Sequence, residues 1–345
     1  MDGQAIAKEK GPRYNFTKQQ READISRIRF HLSRPRRRRR PPKGVVLLRR
    51  ALLLVSVILL LAAGYLAVDY IRQGNSTKKL QEELRARRAQ SVTMEPTTPP
   101  APTQAAMAAL AQGDAAAVMQ PSPAPTARPL ATPGAAMLPH LVNSYSRNKD
   151  LAGWLQSDAI QDIDFPVVQR DNDYYVHRDF YGRSNLAGTV FLDEDNYTLP
   201  QDQNLVLHGH SMKNGTMFGK LVRLMNRSTL VEAPFFSFST LYEGNTYVPY
   251  AVSLTSVDPS SPRYFNFIHP QFADAADFEA YSGRLTALSG MALPVDLQAD
   301  DRLLTLVTCH GQDENERLVV ALRALRPGES REGLQALIRE KTITR

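Results

Sequence analysis

Leu303-Leu-Thr-Leu-Val-Thr-Cys-His-Gly-Gln-Asp-Glu-Asn-Glu-Arg-Leu-Val-Val-Ala-Leu322 reads as two strands joined by a turn. Leucine and β-branched residues run up to Cys309, an acidic stretch containing Gly311 turns the chain, and a second apolar run opens on Arg317. If the two runs pair as a hairpin, the thiol and the guanidinium come to adjacent strand ends. Cys309 is the only cysteine in 345 residues, which excludes a disulfide framework and a multi-cysteine zinc site. A lone cysteine is by default a small buried apolar residue, and only its surroundings can make it a reactive thiol. Arg323 shares the strand face of Arg317 but lies further from the turn, so it ranks second as the partner. His310 follows Cys309 directly and therefore points the other way, as a loop residue.

A second stretch, Leu205-Val-Leu-His-Gly-His-Ser-Met-Lys-Asn-Gly-Thr-Met-Phe-Gly-Lys-Leu221, is a strand that ends in His208-Gly209-His210 and turns into a helical piece. Histidines two apart on a strand share a face and could share a metal. The neighbouring carboxylates Asp193 and Asp195 do not make a convincing third ligand, so neither metal nor cofactor is expected. Further short runs rich in β-branched and aromatic residues fall at 163–168, 188–192, 204–208, 246–254, 302–307 and 317–322. Helical spacing occupies 141–157, 217–225, 273–288 and the tail from Ser330. The expected fold is mainly β with peripheral helices, an antiparallel barrel or sandwich of which the closed barrel is preferred.

The rest of the chain is organised differently. The formal charge of +7 is concentrated near the N-terminus, in Arg34, Arg36 to Arg40, Lys43, Arg49 and Arg50, with no interleaved aromatic residues for stacking on bases. No nucleic-acid partner is expected. Ala51 to Val68 carries no charge over eighteen residues, the length of a membrane-spanning helix. It is too long, and begins too far into the chain, for a cleaved signal peptide. Positive charge stays on the cytoplasmic side, so residues 1–50 are expected inside, 51–70 across the membrane and the remainder outside. Residues 71–140 hold a short solvated or juxtamembrane helix (Lys78 to Arg88) and a disordered stalk rich in proline and alanine, expected to carry the domain away from the bilayer. The folded domain is 141–345.

Both chemistry-bearing stretches resemble the sortase family. The likeness rests on Thr305-Leu-Val-Thr-Cys309 with Arg317 eight residues on, and on Gly209-His-Ser-Met212 followed by Gly215-Thr-Met-Phe-Gly-Lys-Leu221. Upstream, Gly153-Trp-Leu155, Ile163 to Gln169, Tyr174 to Phe180 and Gly188 to Asp193 look like the entry segments of class B sortases in the same order, and 272–288 could supply that class's added helix. The resemblance implies a sortase-like closed β-barrel and a membrane-anchored cysteine transpeptidase of the thiol-peptidase kind. Such an enzyme cuts a C-terminal sorting signal on secreted proteins and joins the new carboxyl end to an amine, a peptidoglycan precursor or a pilin, in a Gram-positive-type envelope. It also implies Cys309 as nucleophile, His210 as general acid and base, Arg317 for oxyanion stabilisation or substrate orientation, and Thr308 in the substrate groove. His208 stands where tyrosine is common, and Val307 where serine is common. Two further readings stay open: a pilin-polymerising or hydrolytic sortase, and a catalytically silent sortase-like binding domain.

Overall fold

The computed structural model describes residues 43–93, 136–311 and 313–345, and the chain divides into two units, Met1–Tyr65 and Leu66–Arg345. The arginine run 36–40 and most of the Pro/Ala-rich segment lie outside the described residues. The first unit is described only by the start of helix α1 (Lys43–Thr93). Leu52, Leu59 and Leu61 there are each exposed by 60% or more, an apolar surface on every side that suits lipid and not a core. Among the described residues α1 is the one helix long and apolar enough to cross a membrane.

In the second unit eight strands close a barrel in the order β1-β2-β3-β4-β8-β9-β6-β5, with β5 returning to β1. They are β1 (Leu151–Ser157), β2 (Asp164–Val168), β3 (Phe191–Leu192), β4 (Asn204–His208), β5 (Phe236–Thr240), β6 (Gly244–Ser256), β8 (Leu303–Cys309) and β9 (Glu316–Ala324). A small ladder of β7 (Met291–Ala292) with β10 (Ile343–Thr344) lies outside the barrel. The expected antiparallel pairing needs one correction. β2 with β3 and β4 with β8 run parallel, and the second of these pairings spans five residues, from Asn204 opposite Leu303 to His208 opposite Val307.

The helices follow their local signals. α4 (Ala275–Leu288) starts where the Asp274 carboxylate accepts from the Asp277 N–H, and α5 (Arg331–Lys341) where Ser330 accepts from Gly333. α2 (Pro139–Arg147) and α3 (Arg227–Glu232) are shorter. The 141–157 region is only half helical, because Leu151–Ser157 is β1. That strand is buried on both faces, so it lacks the alternation that marks a strand. The 217–225 region forms a 3-10 turn at Leu221–Met225 and no longer helix. A Cβ on Gly219 would lie 2.2 Å from the Met212 carbonyl oxygen, so the chain there is pressed against the loop that precedes it.

The C-terminal part of α1 is not a solvated spacer. Leu84 is 2% exposed within an apolar cluster containing Leu141, Trp154, Tyr175 and Phe180. Arg85 donates to the carbonyls of Asp162 and Asp164, and the Arg88 guanidinium lies 5.2 Å from the Trp154 ring centroid. After residues 94–135 the chain returns to the same barrel, where the Leu138 N–H donates to the Leu241 carbonyl. The described residues before 94 and after 135 therefore both pack on the barrel unit, the former because apolar side chains of α1 find a hydrophobic surface to cover.

Arg323, second in rank as partner of the thiol, is fully buried near the far end of β9. It contacts Glu329, Asp296 and Asp301, and Arg326 binds the latter two as well. Replacing one partner of such a network leaves buried charge uncompensated. Arg323→Met is expected to cost about 3–5 kcal/mol, read as a lower urea midpoint from the fluorescence of Trp154, the single tryptophan. An unchanged midpoint would contradict the structural role.

Candidate active site

Because β4 and β8 run parallel, their C-terminal ends lie at the same end of the barrel. The ladder continues one residue past β4, where the Gly209 N–H donates to the Val307 carbonyl at 3.2 Å. His210 then comes level with Cys309. A Cβ on Gly209 would lie 2.8 Å from the Phe218 ring and 2.9 Å from Val190, so no larger residue fits between the two histidines. The chain folds back at once, with the Phe218 N–H donating to the His210 carbonyl.

The hairpin supplies the other strand end. Cys309 pairs with Arg317 across β8 and β9, and the neighbouring His310 N–H donates to the Glu316 carbonyl. Positions 309 and 317 are thus a non-hydrogen-bonded pair, the kind whose Cα atoms approach to about 4.5 Å with side chains on one face. Cys309 is exposed and a free thiol. The Arg317 guanidinium donates to the Glu314 and Glu316 carbonyls, and among the described residues no carboxylate forms an ion pair with it. Its positive charge remains available to a ligand.

His210 is held from the other side. Its Nε2 lies 2.9 Å from the Val176 carbonyl oxygen, which can only accept, so this nitrogen carries the hydrogen. Nδ1 is the nitrogen left to exchange a proton. The His177 ring stacks on His210 at 5.7 Å between centroids. Burial pushes the His210 pKa down, the Val176 acceptor pushes it up, and the charge of His177 pushes it down again, with a net shift below the ordinary histidine value. His208 is engaged elsewhere, with Nε2 2.8 Å from Asp193 Oδ2 and the ring stacked on Phe191. Burial opposes ionisation of Asp193, but hydrogen bonds from His208 and the Asp195 N–H prevail, and its carboxyl lies below the usual range. The two histidines do not converge on one point, and no cluster of three or more His, Cys, Asp or Glu side chains suited to a metal occurs among the described residues.

Cys309, His210, Arg317 and Thr308 line one cleft of about 330 Å³. Its apolar walls include Phe191, Val257, Phe267 and Ile268. Thr308 is 3% exposed, and its hydroxyl has no partner among the described residues. Sequence reasoning missed His177 and Phe267. His177 sits within the Tyr174–Phe180 stretch, though nothing there signals a ring stack, and Phe267 carries no local signal.

Comparison with known proteins places the fold. A family model described as the sortase domain matches residues 156–324. Sortase B of Listeria monocytogenes is 33% identical over 171 residues, 49% of this chain and 67% of that protein. Sortase B of Staphylococcus aureus is 25% identical over 182 residues, 52% of this chain and 72% of that one. Among solved structures, a Bacillus anthracis protein described as similar to sortase B matches with a TM-score of 0.50 and 27% identity, over 56% of this chain and 86% of its own. Sortase B of the same organism in complex with AAEK2 matches with the same TM-score and identity over 57% and 87%. Such identity to the Listeria protein, over two thirds of its length and joined to a shared fold, marks common descent: this chain belongs to the sortase family and is class B-like.

Proposed function

We propose that this sortase is held in the membrane by the apolar part of α1, with residues 1–50 cytoplasmic and the barrel outside. There it cleaves a C-terminal sorting signal on secreted proteins through a thioacyl intermediate on Cys309 and transfers the acyl group to a cell-wall amine. The observation that carries this reading is the meeting in one cleft of an exposed thiol, an imidazole with one nitrogen unbonded among the described residues, and a guanidinium with no carboxylate counter-ion among them. The charge-free span of α1 and the arginines before it support the topology.

The chemistry follows from these groups. Cys309 as thiolate attacks the scissile carbonyl, forming a C–S bond and a tetrahedral oxyanion. Arg317 supplies N–H donors and positive charge to that oxygen. Collapse breaks the C–N bond, and the leaving amine takes a proton from His210 Nδ1–H, while Nε2–H stays on the Val176 carbonyl. An incoming amine then attacks the thioester, returns its proton to Nδ1 and releases Cys309. Thr308 borders the cleft beside Cys309, its buried hydroxyl unpartnered among the described residues. The apolar walls suit side chains of the donor peptide and limit access of water, which competes with the amine for the thioester.

The direct test incubates the full chain in detergent with sorting-signal peptides, with and without a glycine-peptide amine. A thioester adduct on Cys309, lost in Cys309→Ala, and a product that changes from acid to amide when amine is added are expected. Products that do not respond to the amine would turn the reading to hydrolysis, and an adduct that survives Cys309→Ala would remove this thiol from the reaction. The pH profile of kcat/KM should be bell-shaped. Its acid limb is expected below about 6.5, since burial makes the His210 imidazole lose its proton at lower pH than a free one. An acid limb at or above that value would contradict the assignment.

A further inference from the structure

We infer that the juxtamembrane part of α1 is a positioning element of the active site, acting through Thr77 and Asn185 on the carbonyl that holds His210. The inference rests on the reading of His210 as the proton-transfer partner of Cys309. Thr77 is 2% exposed on α1 and Asn185 is 6% exposed in the loop before β3. The Asn185 side-chain amide donates to the Thr77 hydroxyl at 3.0 Å. One turn earlier on the helix, Gln73 Oε1 accepts from the Leu186 N–H at 3.1 Å. The helix thereby fixes two consecutive residues of this loop.

That loop reaches His210 by a short route. The Asn185 N–H donates to the His177 carbonyl, the Gly188 N–H to the Asn185 carbonyl and the Thr189 N–H to the Tyr175 carbonyl. These bonds lock residues 185–189 against 175–177, and the carbonyl between them, on Val176, takes the His210 Nε2–H. Gly188, at φ +59°, makes the approach possible, since a Cβ there would lie 2.4 Å from the Val176 oxygen. The helix also meets the segment that follows His210. A Cβ on Gly74 would lie 2.6 Å from the Asn214 side chain, and Met217 shares with Thr77, Leu80 and Leu84 a space of only about 20 Å³, too small for more than one water.

Thr77 sits nine residues beyond Val68, the end of the charge-free span, so the segment that anchors the chain continues directly into the one that supports the site. A barrel made without α1 would keep Cys309, Arg317 and His210 but lose the polar partner of Asn185 and the acceptor of the Leu186 N–H, so the 185–189 loop would keep only its backbone bonds to 175–177. The groups that face His210 are His177 on the stacked side and the cleft residues Cys309 and Arg317, with the His208–Asp193 pair beyond Gly209. A change in the imidazole's position is therefore read by the thiol.

The test uses the full chain in detergent and iodoacetamide as probe, because Cys309 is the only thiol. The pH–rate profile of alkylation is measured for wild type, Thr77→Val, Thr77→Ser and His210→Ala. Thr77→Val is expected to slow alkylation at pH 7 by roughly fivefold and to displace the profile by about half a pH unit. Thr77→Ser, which keeps the hydroxyl, restores both. A Thr77→Val profile superimposed on wild type, while His210→Ala differs, would overturn the link from helix to site. A His210→Ala profile identical to wild type would overturn the assignment of His210 and the inference with it.

Discussion

The parallel pairing of β4 with β8 is the constraint on which the site depends. In a purely antiparallel barrel, neighbouring strands end at opposite ends, and the turn after His208 would lie a full strand length, about 17 Å, from Cys309. Running the two strands the same way brings both C-terminal ends to one rim, and the β8–β9 hairpin adds Arg317 at the cost of a single turn. Cys309 and Arg317 are thus positioned by a backbone ladder, and His210 directly follows the end of another. The requirement for Gly209 between the histidines follows from the same ladder, which crowds the Phe218 ring and Val190 against the backbone.

Electrostatics divide the barrel into two ends with different tasks. Around Arg323 every charge has an opposite partner: Asp296, Asp301 and Glu329 surround one fully buried guanidinium, and Arg326 bridges the same carboxylates. At the rim, among the described residues, Arg317 donates only to backbone carbonyls of its own hairpin and the His210 ring bonds only a carbonyl of the neighbouring loop. Neutral partners orient these groups without cancelling the Arg317 charge or occupying His210 Nδ1. Two arginines on the same face of the same strand therefore differ in function because of what surrounds them.

Local signals made much of this legible. Cys309 and Gly209-His210 are visible as strand ends that run into turns and Arg317 as the opening of the next strand, and the helices read from 273 and from Ser330 begin within two residues of α4 and α5. What stayed hidden depends on contacts distant in sequence. β1 is buried on both faces and shows no alternation. The parallel direction of β4 and β8 is a property of the connection between them and leaves no mark in either strand. Strand parity could not separate Arg317 from Arg323, because parity fixes a face and not its depth. Lys78 to Arg88 reads as solvated because its charges dominate, yet Leu80 and Leu84, a helical turn apart, cover the barrel while the charges face outward or pair with Asp164.

The account holds that Cys309 and His210 form one site, so the ionisation of either must be felt by the other. NMR titration of the His210 ring, assigned with His210→Asn, in wild type and in Cys309→Ala reads this directly and needs no substrate. The His210 resonance is predicted to show a second inflection from thiol ionisation in wild type that disappears in Cys309→Ala. Superimposable titration curves for the two proteins would contradict the account.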